Sequence, residues 1–325
     1  MKTLYLIKFI DHVQLGHLYE HIFLMQLGTW LRQKGLYAYL DFSTEGSTYY
    51  SGAVYVTVRL YSPEAARIED QIRTFIPKLD KPAIENGLLQ ISAEKVSKVS
   101  EQDDDVILSK LSEYQSQPWH DMDSFPVRDT SQIPKNIVGL RLSKVSDRKV
   151  LYAHQQIILD STTAADVRES TLPLFYVLSK VLYANLIEIL AIQCGYYSLK
   201  DSYNYTSKKI SETNTYIVYD KHTLETEVDV TRQFIQTSIL NGLTNKIIHF
   251  LQNVTLKTPA NSPDDGGILD RTGIAIGSKG WQQIATSENI KRVLEGMTIE
   301  YKIGKYTDSI HLKDVIKLGI TSIEH

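Results

Sequence analysis

Six consecutive residues near the start of the chain, Gly16-His17-Leu18-Tyr19-Glu20-His21, constrain its fold and chemistry more than any other segment. Apolar residues recur at helical spacing through this region, and Gly35 provides a stop signal, so the pattern predicts one long helix from Gly16 to about Lys34. On a helix, His17 and His21 lie four positions apart and project from one face, one turn apart. The segment therefore predicts two imidazole side chains presented side by side.

Two imidazoles at this spacing have the geometry that zinc needs from two nitrogen ligands. Glu20 lies beside the pair, where a carboxylate can accept a proton from a metal-bound water without being a ligand itself. The order His-x-x-Glu-His is the inverted form of the more common zinc-protease motif. The alternative interpretation is two surface histidines and a glutamate on an ordinary helix, since the chain contains nine histidines.

A catalytic zinc needs a third protein ligand, because two histidines alone rarely hold one. The only cysteine, Cys194, lies in the other half of the chain, which excludes a multi-cysteine site. A carboxylate on a neighbouring helix is the natural choice, and a helical segment is predicted from about residue 84 to residue 100. Glu94 lies within it, with Glu85 and Glu101 as competitors, and the residue pattern alone leaves the choice open.

Composition and charge exclude several classes of protein. The 35 basic and 38 acidic residues give a formal charge of −3, which argues against a nucleic-acid partner. The sequence contains no run of about 18 uncharged apolar residues, so it predicts no membrane span. The apolar start of the chain is interrupted by Lys8, so it is interpreted as a buried strand rather than a signal peptide. With one free thiol, the expected compartment is the cytoplasm.

The 325 residues allow one large domain or two medium-sized ones. Residues 116–136 are polar and contain three prolines, which predicts a linker and gives domains of 1–130 and 131–325. Each half reads as a strand, a long helix, further strands and a helix, a weak structural repeat. In the first half, the strands after the long helix are predicted at 36–42 and 52–61.

The motif and its surroundings resemble the M16 family of metallopeptidases, which includes pitrilysin, insulin-degrading enzyme and the mitochondrial processing peptidase. Leu15–Leu24 matches the family's hallmark helix, an inverzincin motif. The family's next segment, of Asn-Ala-x-Thr type, is represented by Asp41-Phe42-Ser43-Thr44 and then Ser47–Tyr50, with Asp41 in place of the Asn. The family's third zinc ligand precedes an acidic turn and a helix, which Glu94 fits best, with Glu101 as the fallback.

This resemblance implies an α+β fold of two related domains, each an antiparallel-rich β-sheet packed against α-helices. It also implies a zinc-dependent endopeptidase in which His17, His21 and Glu94 hold Zn²⁺ and Glu20 is the catalytic base. The peptide substrate would lie extended and add a strand to a sheet edge near Tyr49 and Tyr50. For these two tyrosines, ordinary packing on an exposed strand is the alternative.

A departure from the family pattern suggests a division of labour between subunits. Tyr196 takes the place of a family tyrosine that binds substrate, but Ile189 occupies the position of its paired arginine. The resemblance therefore implies the catalytic subunit of a heterodimer, with a second M16-like subunit supplying the Arg–Tyr pair. The alternatives are a non-catalytic scaffold subunit and S-ribosylhomocysteinase, a shorter lyase with a cysteine ligand, for which Cys194 lies in the wrong context.

Overall fold

The chain has an α+β fold, in which helices accompany antiparallel β-sheets. The computed structural model describes residues 2–10, 12–49, 52–93, 104–122, 150–159, 168–194, 197–205, 210–219, 224–240, 242–253 and 283–321. The chain divides into two compact units, Met1–Val150 with Ile187–Tyr197, and Leu151–Leu186 with Ser198–His325. The predicted domain boundary near residue 130 lies outside the described residues and stays a prediction.

The first unit contains a four-stranded sheet with order β2-β3-β1-β4, in which β1 pairs antiparallel with β3 and β4, and β2 pairs antiparallel with β3. Its elements, in chain order, are β1 (Lys2–Phe9), α1 (Val13–Gln33), β2 (Phe42–Thr48), β3 (Ala53–Leu60), α2 (Pro63–Ala66), α3 (Glu69–Arg73), α4 (Lys81–Ala93), α5 (Asp104–Gln115) and β4 (His120–Met122). Among the described strands, β2 is therefore an edge strand.

Alternation along β3 decides which face of this sheet packs against α1. Val54, Val56 and Val58 are fully buried, as period-2 alternation predicts for one face of a strand. Leu18 and Ile22 of α1 are also fully buried. Leu24 of α1 lies against Gly46 of β2, while Leu18 and Ile22 lie against Gly87 of α4. The long helix that carries the histidine motif therefore packs on both the sheet and α4.

The predicted strand at 36–42 is wrong, because most of this segment forms a turn and β2 begins only at Phe42. The backbone N–H of Tyr37 donates to Oδ2 of Asp41 over 2.8 Å, and Asp41 is buried. Tyr39 adopts a left-handed backbone with φ of +69°. An aspartate that bonds the backbone of its own turn competes with a β-ladder, which explains the later start of the strand.

The second half of the chain contains a five-stranded sheet with order β6-β7-β5-β8-β9, in which β8 pairs antiparallel with both β5 and β9. Its elements are β5 (Val150–Leu159), α6 (Arg168–Cys194), β6 (Tyr197–Tyr205), β7 (Ile210–Tyr219), α7 (Leu224–Leu240), α8 (Leu243–Asn253), α9 (Ser287–Glu295), β8 (Met297–Ile303), β9 (Tyr306–His311) and α10 (Leu312–Thr321). Among the residues described, no helix is both long and apolar enough to cross a membrane.

Candidate metal centre

The start of α1 is fixed by a side-chain cap and by close approach to the sheet. His12 is the N-cap residue, and its Nδ1 accepts from the backbone N–H of Leu15 over 3.4 Å. A Cβ at Gly16 would lie 3.1 Å from the carbonyl oxygen of Gly52 and 3.2 Å from Cγ2 of Thr48. The glycine before His17 therefore lets the first turn of the helix lie directly on the β2–β3 hairpin.

The structure brings His17 and His21 together on one face of α1, as their spacing predicts. Their Nε2 atoms lie 3.1 Å apart, and their ring centroids are separated by 4.8 Å at an interplanar angle of 57°. His21 is buried, with 9% of its surface exposed. Both rings thus direct the same nitrogen toward a common point.

Gln90 of α4 determines the orientation of the His21 ring. Its Oε1 lies 2.9 Å from Nδ1 of His21, and since an amide oxygen can only accept, Nδ1 carries the proton and donates. The amide Nε2 of Gln90 contacts Sδ of Met25 over 2.8 Å. Gln90 therefore holds the His21 tautomer in which the lone pair lies on Nε2, the atom that faces His17.

The spacing of the two nitrogens fits a shared zinc ion. Two Zn–N bonds of about 2.0–2.1 Å at a tetrahedral angle place the nitrogens about 3.3–3.4 Å apart. The observed separation of 3.1 Å is close to this value. In the absence of metal, the same separation suits an N–H···N hydrogen bond from His17 to His21. The pair can therefore move from hydrogen bond to metal ligation with little rearrangement.

Glu20 lies on the same helix with its carboxylate enclosed by the edge strand β2. Only 7% of its surface is exposed. The Thr48 hydroxyl donates to Oε2 of Glu20 over 2.5 Å. A Cβ at Gly46 would lie 2.6 Å from Oε1 of Glu20, so the glycine leaves the space that this oxygen needs. The carboxylate thus occupies a position shaped by two residues of β2.

The described residues contain no group of three or more His, Cys, Asp or Glu side chains that could hold a metal ion. Glu85 is exposed on α4 and is not gathered with the histidine pair. Glu94 and Glu101 lie outside the described residues. Glu94 follows Ala93 directly, and Ala93 is the last described residue of α4. Their assignment as the third ligand stays a prediction.

Of the three predicted substrate-binding tyrosines, the structure describes Tyr49, which follows β2. Its ring lies 4.6 Å from the ring of Tyr55, edge to face. Burial, and then the neighbouring Tyr49, raise the pKa of Tyr55 above its usual range. Tyr50 and Tyr196 lie outside the described residues. The hairpin end of β2 is therefore aromatic, and the roles of the tyrosines in substrate binding stay predictions.

Sequence reasoning missed the contribution of Gln90. The signal that could have indicated it is a polar residue inside the apolar run Leu88-Leu89-Gln90-Ile91. Gln90 is buried with 6% of its surface exposed. A buried amide in an apolar stretch requires a hydrogen-bond partner, but the pattern does not reveal that the partner is His21.

Comparisons with known proteins give weak similarities. No family model matches the chain, and no curated protein matches it. Among solved structures, it is similar to the periplasmic protease PqqL from Escherichia coli, at 12% identity and a TM-score of 0.29, covering 91% of this chain and 41% of that one. It is also similar to pitrilysin, at 11% identity and a TM-score of 0.29, covering 99% and 47%.

A third similar structure is the inactive domain of a peptidase M16 from Pseudomonas fluorescens, at 9% identity and a TM-score of 0.25, covering 92% of this chain and 91% of that one. The chain spans less than half the length of PqqL and of pitrilysin. The α+β fold stated above rests on the helices and sheets of this chain itself.

Proposed function

We propose that the chain is a zinc-dependent endopeptidase that hydrolyses peptides or small unfolded polypeptides. The observation that carries this proposal is the pair of Nε2 atoms of His17 and His21, 3.1 Å apart, with Nδ1 of His21 held by Gln90. An imidazole whose second nitrogen donates to a fixed acceptor is the usual arrangement of a zinc-ligating histidine. The adjacent Glu20 carboxylate supplies the group needed for proton transfer.

The residues of this chain divide the chemistry between them. His17, His21 and, as the proposed third ligand, Glu94 would hold Zn²⁺, which supplies an acidified water and polarises the peptide carbonyl when bound. Glu20 accepts the proton of the attacking water at its carboxylate and delivers it to the nitrogen of the leaving amine. The peptide pairs with the outer edge of β2, as an added strand does at an exposed sheet edge.

The proposal extends to the protein's partner and compartment. A second subunit of similar architecture would supply the arginine that Ile189 replaces, together with a tyrosine, which makes this chain the catalytic half of a heterodimer. The proposed compartment is the cytoplasm, since the single cysteine of the chain can form no disulfide within it.

The first experiment measures zinc per chain in protein purified without added metal. We expect about one zinc in the native sequence and none in His21→Ala. Glu20→Gln should keep its zinc and lose cleavage of an unstructured fluorogenic peptide. Gln90→Leu should keep the fold and weaken zinc binding by about 10–100-fold, the usual effect of removing a hydrogen-bond partner from a metal-ligating histidine.

A well-folded native chain that binds no zinc would overturn the proposal. In that case the second candidate, a non-catalytic scaffold subunit, is favoured. The observation behind this candidate is that the described residues contribute two ligands and no third. Zinc binding without peptide cleavage, in the presence of a co-expressed partner, would also favour the scaffold.

A further inference from the structure

The edge strand β2 contacts the Glu20 carboxylate at two alternate positions. Thr48 and Gly46 lie two residues apart, so they share the face of the strand that packs on α1. The hydroxyl of Thr48 donates to Oε2 of Glu20 over 2.5 Å, and the absence of a side chain at Gly46 leaves room for Oε1 of Glu20. One strand therefore both bonds the carboxylate and shapes the space around it.

We propose that Thr48 is a positioning residue that holds Glu20 in the orientation needed for proton transfer, with Gly46 providing the required space. This inference rests on the proposed peptidase function and adds to it a residue that acts through Glu20. A buried carboxylate that accepts a hydroxyl hydrogen bond keeps one rotamer, whereas a carboxylate without that bond has other rotamers available. A displacement of about 1 Å in a reacting group can reduce a rate about a hundred-fold.

The position of β2 gives this contact a second consequence. Among the described strands, β2 has a neighbour, β3, on only one side. A peptide that pairs with the other side would bond the backbone of the strand whose side chains hold Glu20. Because side chains alternate across a strand, Thr48 and Gly46 face α1, and among the described strands none pairs with the outer backbone edge of β2. Substrate docking and placement of the base thus depend on one element.

The test compares variants of the zinc-loaded full chain, each with the co-expressed partner subunit present, on an unstructured fluorogenic peptide. Thr48→Val removes the hydroxyl while keeping the volume, and we expect it to lower kcat about ten-fold with KM and zinc per chain unchanged. Thr48→Ser keeps the hydroxyl and should restore kcat. Gly46→Ala should lower kcat in the same way, because its Cβ displaces Oε1 of Glu20.

Thr29→Val is the matched control, since Thr29 lies on α1 and its hydroxyl donates to the backbone carbonyl of Met25. We expect its kcat to equal that of the native chain. A second measurement needs no activity: urea unfolding of metal-free Thr48→Val, Glu20→Gln and the double variant. Non-additive shifts in the unfolding midpoint would support the contact between the two side chains.

The outcomes separate this inference from the proposed function. Native kcat in Thr48→Val, or a loss that Thr48→Ser does not restore, would overturn the positioning role and leave the peptidase proposal standing. A fall in zinc per chain, or a rise in KM that accompanies the fall in kcat, would show that β2 itself is disturbed. Either result would also overturn the positioning role. A native chain that binds zinc and cleaves nothing with its partner present would overturn both.

Discussion

At the scale of single residues, the candidate site is built from polar groups that lie inside the core and have specific partners. Gln90 bonds His21, and Thr48 bonds Glu20, each within hydrogen-bond distance. A buried polar group that loses its partner costs about 1–3 kcal/mol, so these contacts hold the side chains in defined rotamers. The same reasoning applies to a buried charge elsewhere in the first unit.

Lys8 is that charge, and it lies on β1 with 1% of its surface exposed. Its Nζ donates to the carbonyl oxygens of Tyr114 and Gln117 over 2.7 and 2.5 Å. The ammonium also lies over the rings of Tyr19 and Trp119, 5.0 and 5.6 Å from their centroids. Burial lowers the pKa of Lys8 from 10.5 to about 8. The residue thus ties β1 to the end of α5.

The lowered pKa predicts how stability changes with pH. Between about pH 8 and about pH 10.5, the folded chain has released the Lys8 proton while the unfolded chain still binds it, so the free energy of unfolding rises with pH. Lys8→Met removes this contribution. We expect the native chain to gain about 2 kcal/mol relative to Lys8→Met between about pH 7.5 and about pH 10. Urea unfolding at several pH values measures it, and parallel profiles would contradict it.

At the scale of elements, the β2–β3 hairpin depends on one glycine. Gly52 has φ of +83°, and its N–H donates to the carbonyl oxygen of Tyr49 over 2.8 Å. The carbonyl oxygen of Gly52 accepts from the N–H of Ile10 over 3.2 Å. A Cβ at this position would lie 1.7 Å from the carbonyl oxygen of Ile10. The turn, the end of β1 and the approach to α1 are therefore joined at Gly52.

Gly52→Ala should destabilise the chain by about 3 kcal/mol or more, because the clash with Ile10 adds to the cost of a left-handed backbone. Gly35 provides a matched control, since its φ is +76° and a Cβ added there would meet no atom within 4 Å. Gly35→Ala should cost only about 1–2 kcal/mol, the backbone contribution alone. Equal unfolding midpoints in urea for the two variants would contradict this prediction.

The elements also show which parts of the fold and site can be predicted from sequence. The helix that carries His17 and His21 was predictable, because its apolar spacing and its stop at Gly35 are local signals. The late start of β2 was not, because the Asp41 side chain bonds the turn instead of facing solvent. The contact of Gln90 with His21 joins residues 69 positions apart, and no local pattern encodes it.

At the scale of the whole molecule, His17 and His21 both lie in the first compact unit, Met1–Val150 with Ile187–Tyr197. A metal that binds the folded site stabilises the unit that provides its ligands. Trp30 and Trp119 belong to the first unit, and Trp281 is the third tryptophan of the sequence. Fluorescence of a Trp281→Phe variant therefore reports unfolding of the first unit alone.

This division predicts where zinc acts on thermal unfolding. At a free zinc concentration of about 100 times its Kd, the first unit should gain about 2.7 kcal/mol. For a unit of this size, that gain corresponds to an increase in Tm of about 5–10 °C in the fluorescence transition. The same Trp281→Phe chain carrying His21→Ala should show no increase, and His311→Ala, in the second unit, should show the full increase. An increase in Tm with zinc that persists in His21→Ala would contradict the prediction. It would mean that zinc stabilises this unit through ligands other than the His17–His21 pair.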